Sequence, residues 1–145
     1  MGKVFLFKKI SAFLLAALFV FMFAALYAFS AKPVLCDFDS VTLYEYYGSF
    51  SGGEKYSGGL VIKRRIKGES CDSSGVSYER VLESFSATHV LTEETPFGVS
   101  FYAFSPKIPY RAEINGKTVN LHYFKRVGEK TGAAKLGTPI IFGGY

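Results

Sequence analysis

The segment ISAFLLAALFVFMFAALYAFSA, residues 10–31, decides the architecture of this chain of 145 residues, because it is apolar along its whole length. A helix that crosses a hydrocarbon core of about 30 Å needs roughly 20 apolar residues, and this segment has that length. Lys8 and Lys9 directly precede it, whereas Asp37 follows it. The positive-inside rule therefore predicts a cytoplasmic N-terminus, with the rest of the chain from Lys32 onward outside the cytoplasm.

The same segment also has the features of a secretory signal peptide, which combines a basic start, an apolar middle and small residues near the cut. Ala28 and Ser30 supply small residues for a cut before Ala31. Against cleavage, the apolar middle is longer than the usual roughly 7–15 residues. Two outcomes stay open, because residues 1–31 form either a cleaved signal peptide or a single transmembrane anchor. In both cases an extracytoplasmic domain, secreted or anchored to the cell membrane, spans residues 32–145.

The size and charge of residues 32–145 suit one domain with one hydrophobic core. The whole chain has a net charge of +5, with 17 basic residues, but three lysines precede the apolar segment. The exported part is therefore close to neutral. This balance lacks the strong basic excess of nucleic-acid-binding domains, so nucleic acid is not an expected partner.

Two cysteines, Cys36 and Cys71, both fall outside the cytoplasm on this topology, where disulfides form. A possible disulfide between them would tie the start of the domain to the loop expected after its second strand. Two unpaired thiols are the alternative, and the sequence leaves both states open.

The pattern along the domain predicts strands, one helix and a hairpin. Residues 41–50 and 60–67 are rich in β-branched and aromatic residues and predict two strands, joined by a glycine-rich connection at residues 51–59. Residues 68–75 have the composition of a loop. Residues 76–87 show helical spacing, with an apolar stripe and a serine cap formed by these residues: Tyr78, Val81, Leu82, Phe85, and Ser77 or Ser74.

After the helix, the acidic stretch TEETP at residues 92–96 reads as a turn, and residues 97–105 alternate as a strand. Asn115-Gly116 is a strong signal for a two-residue hairpin turn. A last strand is expected at residues 135–142. This order predicts an α+β fold, in which an antiparallel sheet of about five to six strands carries one packed helix behind the N-terminal apolar helix.

Three segments resemble the C-terminal half of the YwmB family, exported proteins of Gram-positive bacteria that are classed as TATA-box-binding-protein-like. They are VLESFSATHVLTEETPFGVSFYAFS at 81–105, NGKTVNLHYFKR at 115–126 and LGTPIIFGGY at 136–145. The resemblance covers roughly residues 60–145 and implies fold and location, not an activity. Family members resemble two related halves in tandem, whereas this chain has room for about one. The resemblance therefore implies either a homodimer that recreates the full sheet or an abbreviated first half around residues 41–50.

The search for catalytic chemistry gives no strong pattern. His89 and His122 are far apart in sequence, and neither has a second ligand at metal-binding spacing, so no metal or cofactor is expected. A small envelope hydrolase would have to combine His89 or His122 with Glu93 or Glu94 as an acid/base pair. An acidic turn in solvent is the simpler reading of those glutamates.

A basic cluster, LVIKRRIK at residues 60–67, is the remaining candidate site. Alternation along a strand places Lys63, Arg65 and Lys67 on one outer face. Such a face is commonly only solvated, but it would also suit anionic lipid or another envelope polyanion. The sequence therefore predicts a non-catalytic envelope domain that binds a protein or an envelope ligand, with a polyanion-binding module or a small hydrolase as alternatives.

Overall fold

The computed structural model describes residues 2–35, 37–38, 42–45, 53–63, 66–73, 75–128 and 133–142. The helices and strands follow in this order: α1 (Gly2–Phe29), β1 (Ser30–Ala31), β2 (Thr42–Glu45), β3 (Gly53–Lys55), β4 (Val61–Ile62), β5 (Ile66–Asp72), α2 (Tyr78–Phe85), β6 (Thr88–Thr95), β7 (Gly98–Phe104), β8 (Ala112–Ile114), β9 (Lys117–Val119), β10 (Leu121–Arg126) and β11 (Ala134–Thr138).

Helix α1 stands apart from the core of the domain. Its segment Lys9–Phe29 is long and apolar enough to cross a membrane, and its side chains are exposed apart from a half-buried Ala25. A helix that is apolar on every side has no solvated face to offer water. The N-terminal apolar helix expected from the sequence is therefore confirmed, and its length and composition make it a candidate membrane span or signal.

The main sheet has seven antiparallel strands in the order β3-β2-β5-β11-β10-β7-β6. Two smaller antiparallel pairs, β1–β4 and β8–β9, lie beside it. With helix α2, this arrangement confirms the α+β class. The main sheet has one strand more than expected.

Helix α2 packs on one face of this sheet, here called the helix-side face. Its N-terminus is capped by Ser77, whose hydroxyl accepts the Arg80 N–H at 3.3 Å, as expected for a serine at this position. The predicted stripe points inward, with Val81 fully buried and Leu82 partly buried. Facing it are core side chains from five strands of the sheet: Leu43, Cys71, Ala103, Leu121, Tyr123 and Leu136. The apolar stripe thus covers the centre of the sheet, as its spacing predicted.

The other face, here called the tail-side face, is covered by the residues after β11. The Ile141 N–H donates to His122 Nδ1 at 3.2 Å and holds this tail down. A Cβ on Gly137 would lie 2.7 Å from the Ile141 Cα, and a Cβ on Gly68 would overlap the Phe142 ring. Glycine at these two positions therefore lets the tail lie directly on the sheet. The strand expected at residues 135–142 is correspondingly shorter, because β11 ends at Thr138.

The Asn115-Gly116 hairpin is confirmed. Asn115 has φ 51° and Gly116 has φ 73°, and Ile114 pairs with Lys117 across the turn. The second arm of the hairpin is interrupted at Asn120, which is fully buried and bonds through its side chain to both the N–H and the carbonyl of Ser105. Strands β9 and β10 therefore belong to different sheets.

Three predicted loops are wrong in part. Residues 68–72, expected to be a loop, belong to β5, and the strand expected at 60–67 is divided into β4 and the start of β5. Residues 92–95, expected to be an acidic turn, belong to β6. Residues 53–55 of the glycine-rich connection form β3. In each case backbone pairing with a neighbouring strand outweighs a local composition that is poor in strand-forming residues.

Candidate functional site

The end of helix α1 is built into the domain without a linker. Ser30 and Ala31 pair with Ile62 and Val61, respectively, in the β1–β4 ladder. The next N–H along, that of Lys63, donates to the carbonyl of Phe29, the last residue of the helix, at 2.8 Å. Lys63 is therefore held beside the point where the apolar helix ends.

A cleft of about 530 Å³ opens at this junction. One wall is the last turn of α1, and the other wall is the segment around β4. The cleft is lined by Tyr27, Ala28, Ser30, Ala31, Lys32, Leu60 and Lys63. It therefore combines an apolar wall with two ammonium groups.

A second cleft of about 460 Å³ adjoins the first and shares Lys63 with it. It is lined by Lys63, Ile66, Lys67, Pro109, Tyr110 and Arg111. None of the described residues that line the two clefts is acidic. The four basic residues Lys32, Lys63, Lys67 and Arg111, with the clefts between them, are called the basic cleft below.

The structure brings Lys63 and Lys67 of the predicted polyanion contact to one cleft, whereas Arg65 lies outside the described residues. Arg111 joins them although sequence reasoning missed it. Its guanidinium carbon lies 5.0 Å from the centroid of the Phe104 ring, an arrangement that holds the group in place through cation–π attraction. The sequence offers little to signal this residue, because β8 begins only after it and its neighbours are prolines and loop residues.

Directly behind the basic cleft lies a fully buried carboxylate, Glu69 of β5. Its two oxygens accept the N–H groups of Val34 and Leu35, each at 2.8 Å, and the Tyr110 hydroxyl donates to Oε1 at 3.2 Å. Glu69 thus fastens the segment that follows α1 to the main sheet.

Burial raises the pKa of Glu69, and the three donated hydrogen bonds oppose that rise. Burial and the adjacent carboxylate together raise the pKa of Tyr110, so its hydroxyl stays protonated and acts as a donor. This pair therefore forms a structural latch behind the cleft.

The two histidines lie on opposite faces of the main sheet. His89 opposes Ala103 on the helix-side face, and His122 opposes Tyr102 on the tail-side face, because paired residues in an antiparallel ladder share a face. His89 is exposed and its Nδ1 lies 2.9 Å from the Tyr78 hydroxyl. The two imidazoles therefore do not meet in one site.

His122 is buried, and its side chain accepts a hydrogen bond from the residues that follow β11. Its ring stacks on the Tyr102 ring with centroids 4.4 Å apart and an interplanar angle of 24°. Burial lowers the pKa of His122 to about 4. At neutral pH the imidazole is therefore uncharged, and its Nδ1 is the acceptor for Ile141.

The two glutamates of the proposed hydrolase are also separated, because neighbouring residues of β6 point to opposite faces. Glu93 accepts the Tyr102 hydroxyl at 3.2 Å and the Asn115 side-chain amide at 2.7 Å, whereas Glu94 is exposed. Glu93 thus ties β6 to the β8–β9 hairpin. Among the described residues, no three histidine, cysteine or carboxylate side chains converge on a point where a metal ion would sit.

Cys71 lies in β5 and not in a loop, as a buried free thiol. Burial, together with Asp72 and Glu69, raises the pKa of Cys71 to about 12. Its expected partner Cys36 lies outside the described residues, so the disulfide stays a prediction.

We expect the Cys71 thiol to be protected in the folded chain. A rise in pKa from 9.0 to about 12 lowers the thiolate fraction on the order of a thousandfold, and burial adds a steric block. In a Cys36→Ser chain, reaction with a thiol reagent should be slower by at least that factor in native buffer than in urea. Equal rates in the two conditions would contradict this assignment.

Comparison of the chain with protein-family models, with characterised proteins and with solved structures finds no match. The resemblance to the YwmB family and the homodimer that it implies therefore stay predictions.

Proposed function

We propose that this chain is an extracytoplasmic domain of the cell envelope, tethered by a retained α1, that binds a partner or an envelope ligand and carries out no catalysis. One observation carries the proposal: the apolar helix continues without a linker into a strand of the domain itself. A signal peptide that is removed after export has no need of such a connection.

The contacts around the expected cut support retention. A cut before Ala31 would divide β1 between its two residues and detach the Phe29 carbonyl, which accepts the Lys63 N–H. A peptidase needs its substrate segment accessible, whereas Ser30 and Ala31 are half-buried and paired with β4 in the folded domain. Retention keeps these hydrogen bonds, each of which contributes about 1 kcal/mol.

The distribution of titratable groups supports binding over hydrolysis. General acid/base catalysis requires the two groups to reach one substrate atom, within hydrogen-bond distance. His122 shares the tail-side face with Glu93, but it is buried and already accepts a backbone N–H, and the exposed His89 is bonded to the Tyr78 hydroxyl. The basic cleft, by contrast, gathers exposed cationic groups from three segments of the chain around open space. A binding role uses the groups that this structure leaves accessible.

The tether is tested by fractionating cells that express the full chain. We expect the protein to stay in the membrane pellet after an alkaline carbonate wash, with an intact mass that includes residues before Ala31. External protease should digest the domain in whole cells, because on the proposed topology the domain lies outside the cytoplasm.

A matched control carries an efficiently cleaved signal peptide in place of residues 1–31 and should appear in the soluble fraction. A mature N-terminus at Ala31 in the natural chain would contradict the tether. Protection of the domain from external protease would contradict the topology.

A further inference from the structure

We propose that the basic cleft binds the phosphate of an anionic lipid headgroup in the outer leaflet of the membrane that α1 spans. This inference rests on the proposed tether and names the ligand class of the site. Three features of the basic cleft support it: its depth in the bilayer, its charge and the chemistry of its walls.

The depth of the cleft follows from where the helix ends. The headgroup layer extends roughly 5–8 Å beyond the hydrocarbon core on each side. Phe29 ends the apolar helix, and Lys63 is one hydrogen bond of 2.8 Å away from its carbonyl. Lys32 is three residues further along, within roughly 10 Å of chain. The backbones of both lysines therefore lie close to the headgroup layer, from which their ammonium groups can reach lipid phosphates.

Aromatic and aliphatic side chains mark the same level. Tyr27 is 83% exposed, a position typical of the aromatic belt at the membrane–water interface. Leu60 is 65% exposed and Ile62 is 50% exposed, both on the segment that pairs with the end of α1. Exposed aliphatic side chains beside lysines are typical of a surface that dips into the interfacial region. The domain therefore rests on the membrane through this edge.

The charge of the cleft suits a phosphate. Lys63 lies between the two clefts, with Lys32 in the first and Lys67 and Arg111 in the second. The guanidinium of Arg111 can donate two parallel hydrogen bonds to a phosphate, and the lysines supply further donors. The buried Glu69 carboxylate lies behind Tyr110 and is already bonded to three donors. Glu69 is fully buried, so its oxygens do not line the open cleft or compete there with a phosphate for the basic groups.

The walls distinguish a lipid from other phosphate compounds. The first cleft has the last turn of α1 and Leu60 as its apolar side. A free phosphate ion or a wall polymer of glycerol phosphate has no apolar part to place there. A phospholipid places its phosphate on the lysines and its acyl chains along α1.

The test uses the full chain, made by cell-free synthesis so that α1 is present whether or not cells remove it, in a neutral maltoside detergent. Three probes are titrated: dioctanoyl phosphatidylglycerol, dioctanoyl phosphatidylcholine with the same chains, and a soluble poly(glycerol phosphate). We expect the anionic lipid to bind at least tenfold more tightly than the zwitterionic lipid, and the polymer to bind more weakly per phosphate.

The residues are tested by the double variant Lys63→Gln/Arg111→Gln. Each basic group at a membrane surface is worth about fivefold in affinity, so the pair should weaken phosphatidylglycerol binding about 25-fold. The matched control is Lys125→Gln, also exposed. Lys125 pairs with Ala134, whose carbonyl accepts the Ser73 N–H, so Lys125 lies roughly 20 Å along the sheet from Lys67. The Lys125→Gln variant should bind phosphatidylglycerol as tightly as the natural chain does.

The inference is overturned if the double variant binds phosphatidylglycerol as well as the control does, or if the two lipids bind equally. Polymer binding as tight as lipid binding, lost in the same double variant, would assign the cleft to a wall polyanion and overturn the lipid assignment. The tether is tested separately, by the mature N-terminus of the protein made in cells. The chain made by cell-free synthesis keeps α1 in either case, so the lipid test does not depend on that result.

Discussion

The Glu69→Ala variant is expected to lose about 3–5 kcal/mol of unfolding free energy, the largest effect of any single substitution considered for this chain. The truncation removes the acceptor of the Val34 and Leu35 N–H groups and of the Tyr110 hydroxyl. Each donor left buried without an acceptor costs about 1–3 kcal/mol, and the removed side chain leaves a cavity. Urea denaturation of the full chain in neutral detergent, followed by tyrosine fluorescence, measures the loss.

Two further variants make this result specific. Glu113→Ala removes an exposed carboxylate from β8 and should change the stability by less than about 0.5 kcal/mol. Glu69→Gln keeps one oxygen acceptor but turns an amide donor toward a backbone N–H. Its unfolding free energy should therefore fall between those of Glu69→Ala and the natural chain. Equal stability of Glu69→Ala and Glu113→Ala would show that the latch contributes nothing.

The pH dependence of this loss has a definite sign. The pKa of Glu69 is raised by burial above its ordinary value of 4.5, so the folded chain holds this proton more tightly than the unfolded chain. The contribution of this proton to the unfolding free energy is fully present below the ordinary pKa of 4.5 and declines as the pH rises through the raised pKa of the folded chain. The destabilisation by Glu69→Ala should therefore be larger in mild acid than at neutral pH.

Acidification is expected to weaken the domain through His122, by at most about 3 kcal/mol. The pKa of His122 is lowered from 6.5 to about 4 by burial, and a proton on Nδ1 would also oppose the Ile141 N–H. The unfolded chain therefore binds this proton more tightly than the folded chain does. The contribution of the neutral imidazole to the unfolding free energy is fully present above pH 6.5 and is lost as the pH falls toward 4.

The His122→Asn variant tests this assignment, because its side-chain oxygen can still accept the tail N–H but does not titrate. Unfolding free energies are measured across the same pH range for the natural chain and for the variant. The unfolding free energy of the natural chain minus that of the variant should shrink as the pH falls from 6.5 toward 4. The loss caused by Glu69→Ala should instead grow in mild acid, so the two residues can be told apart. The control is His89→Asn, which removes the exposed histidine. A pH-independent difference for His122→Asn would contradict a buried neutral imidazole.

Local patterns predicted the elements that local physics determines. The stripe of Val81 and Leu82 and the serine cap specify α2, and Asn115-Gly116 specifies its hairpin, because helical spacing and positive φ are properties of neighbouring residues. The apolar length of α1 is equally local. Helix α2 and the hairpin turn were confirmed within about two residues of their expected ends, whereas α1 begins at Gly2, eight residues before the apolar segment.

Strand β5 was missed because it depends on distant partners. Residues 68–72 look like a loop because Gly68, Glu69 and Asp72 are poor strand formers, yet the first accommodates Phe142 and the second accepts hydrogen bonds from a segment 34 and 35 residues away. No window of neighbouring residues contains those contacts. Strand β6 was missed for a different reason: it pairs with β7, the next strand along the chain, but an edge strand tolerates charged side chains such as Glu93 and Glu94.

The residues of the basic cleft also divide into those that neighbouring sequence predicts and those that only the fold brings together. Lys63 and Lys67 were found because they are close in sequence, whereas Lys32 and Arg111 join them only through β1–β4 pairing and the return of the chain after β7. The expected strand face also became a cleft, because the turn at Lys63 divides β4 from β5. Composition identified the charge, and only the fold identified its location.

The position of β11 has a consequence for the order in which the sheet can form. This strand follows all the other described strands in the sequence but is the central strand of seven, between β5 and β10. The two halves of the sheet therefore cannot join until β11 is available to pair with both. Pairing between strands that are distant in sequence makes folding slow, so we expect the joining of the two halves to be the slow step.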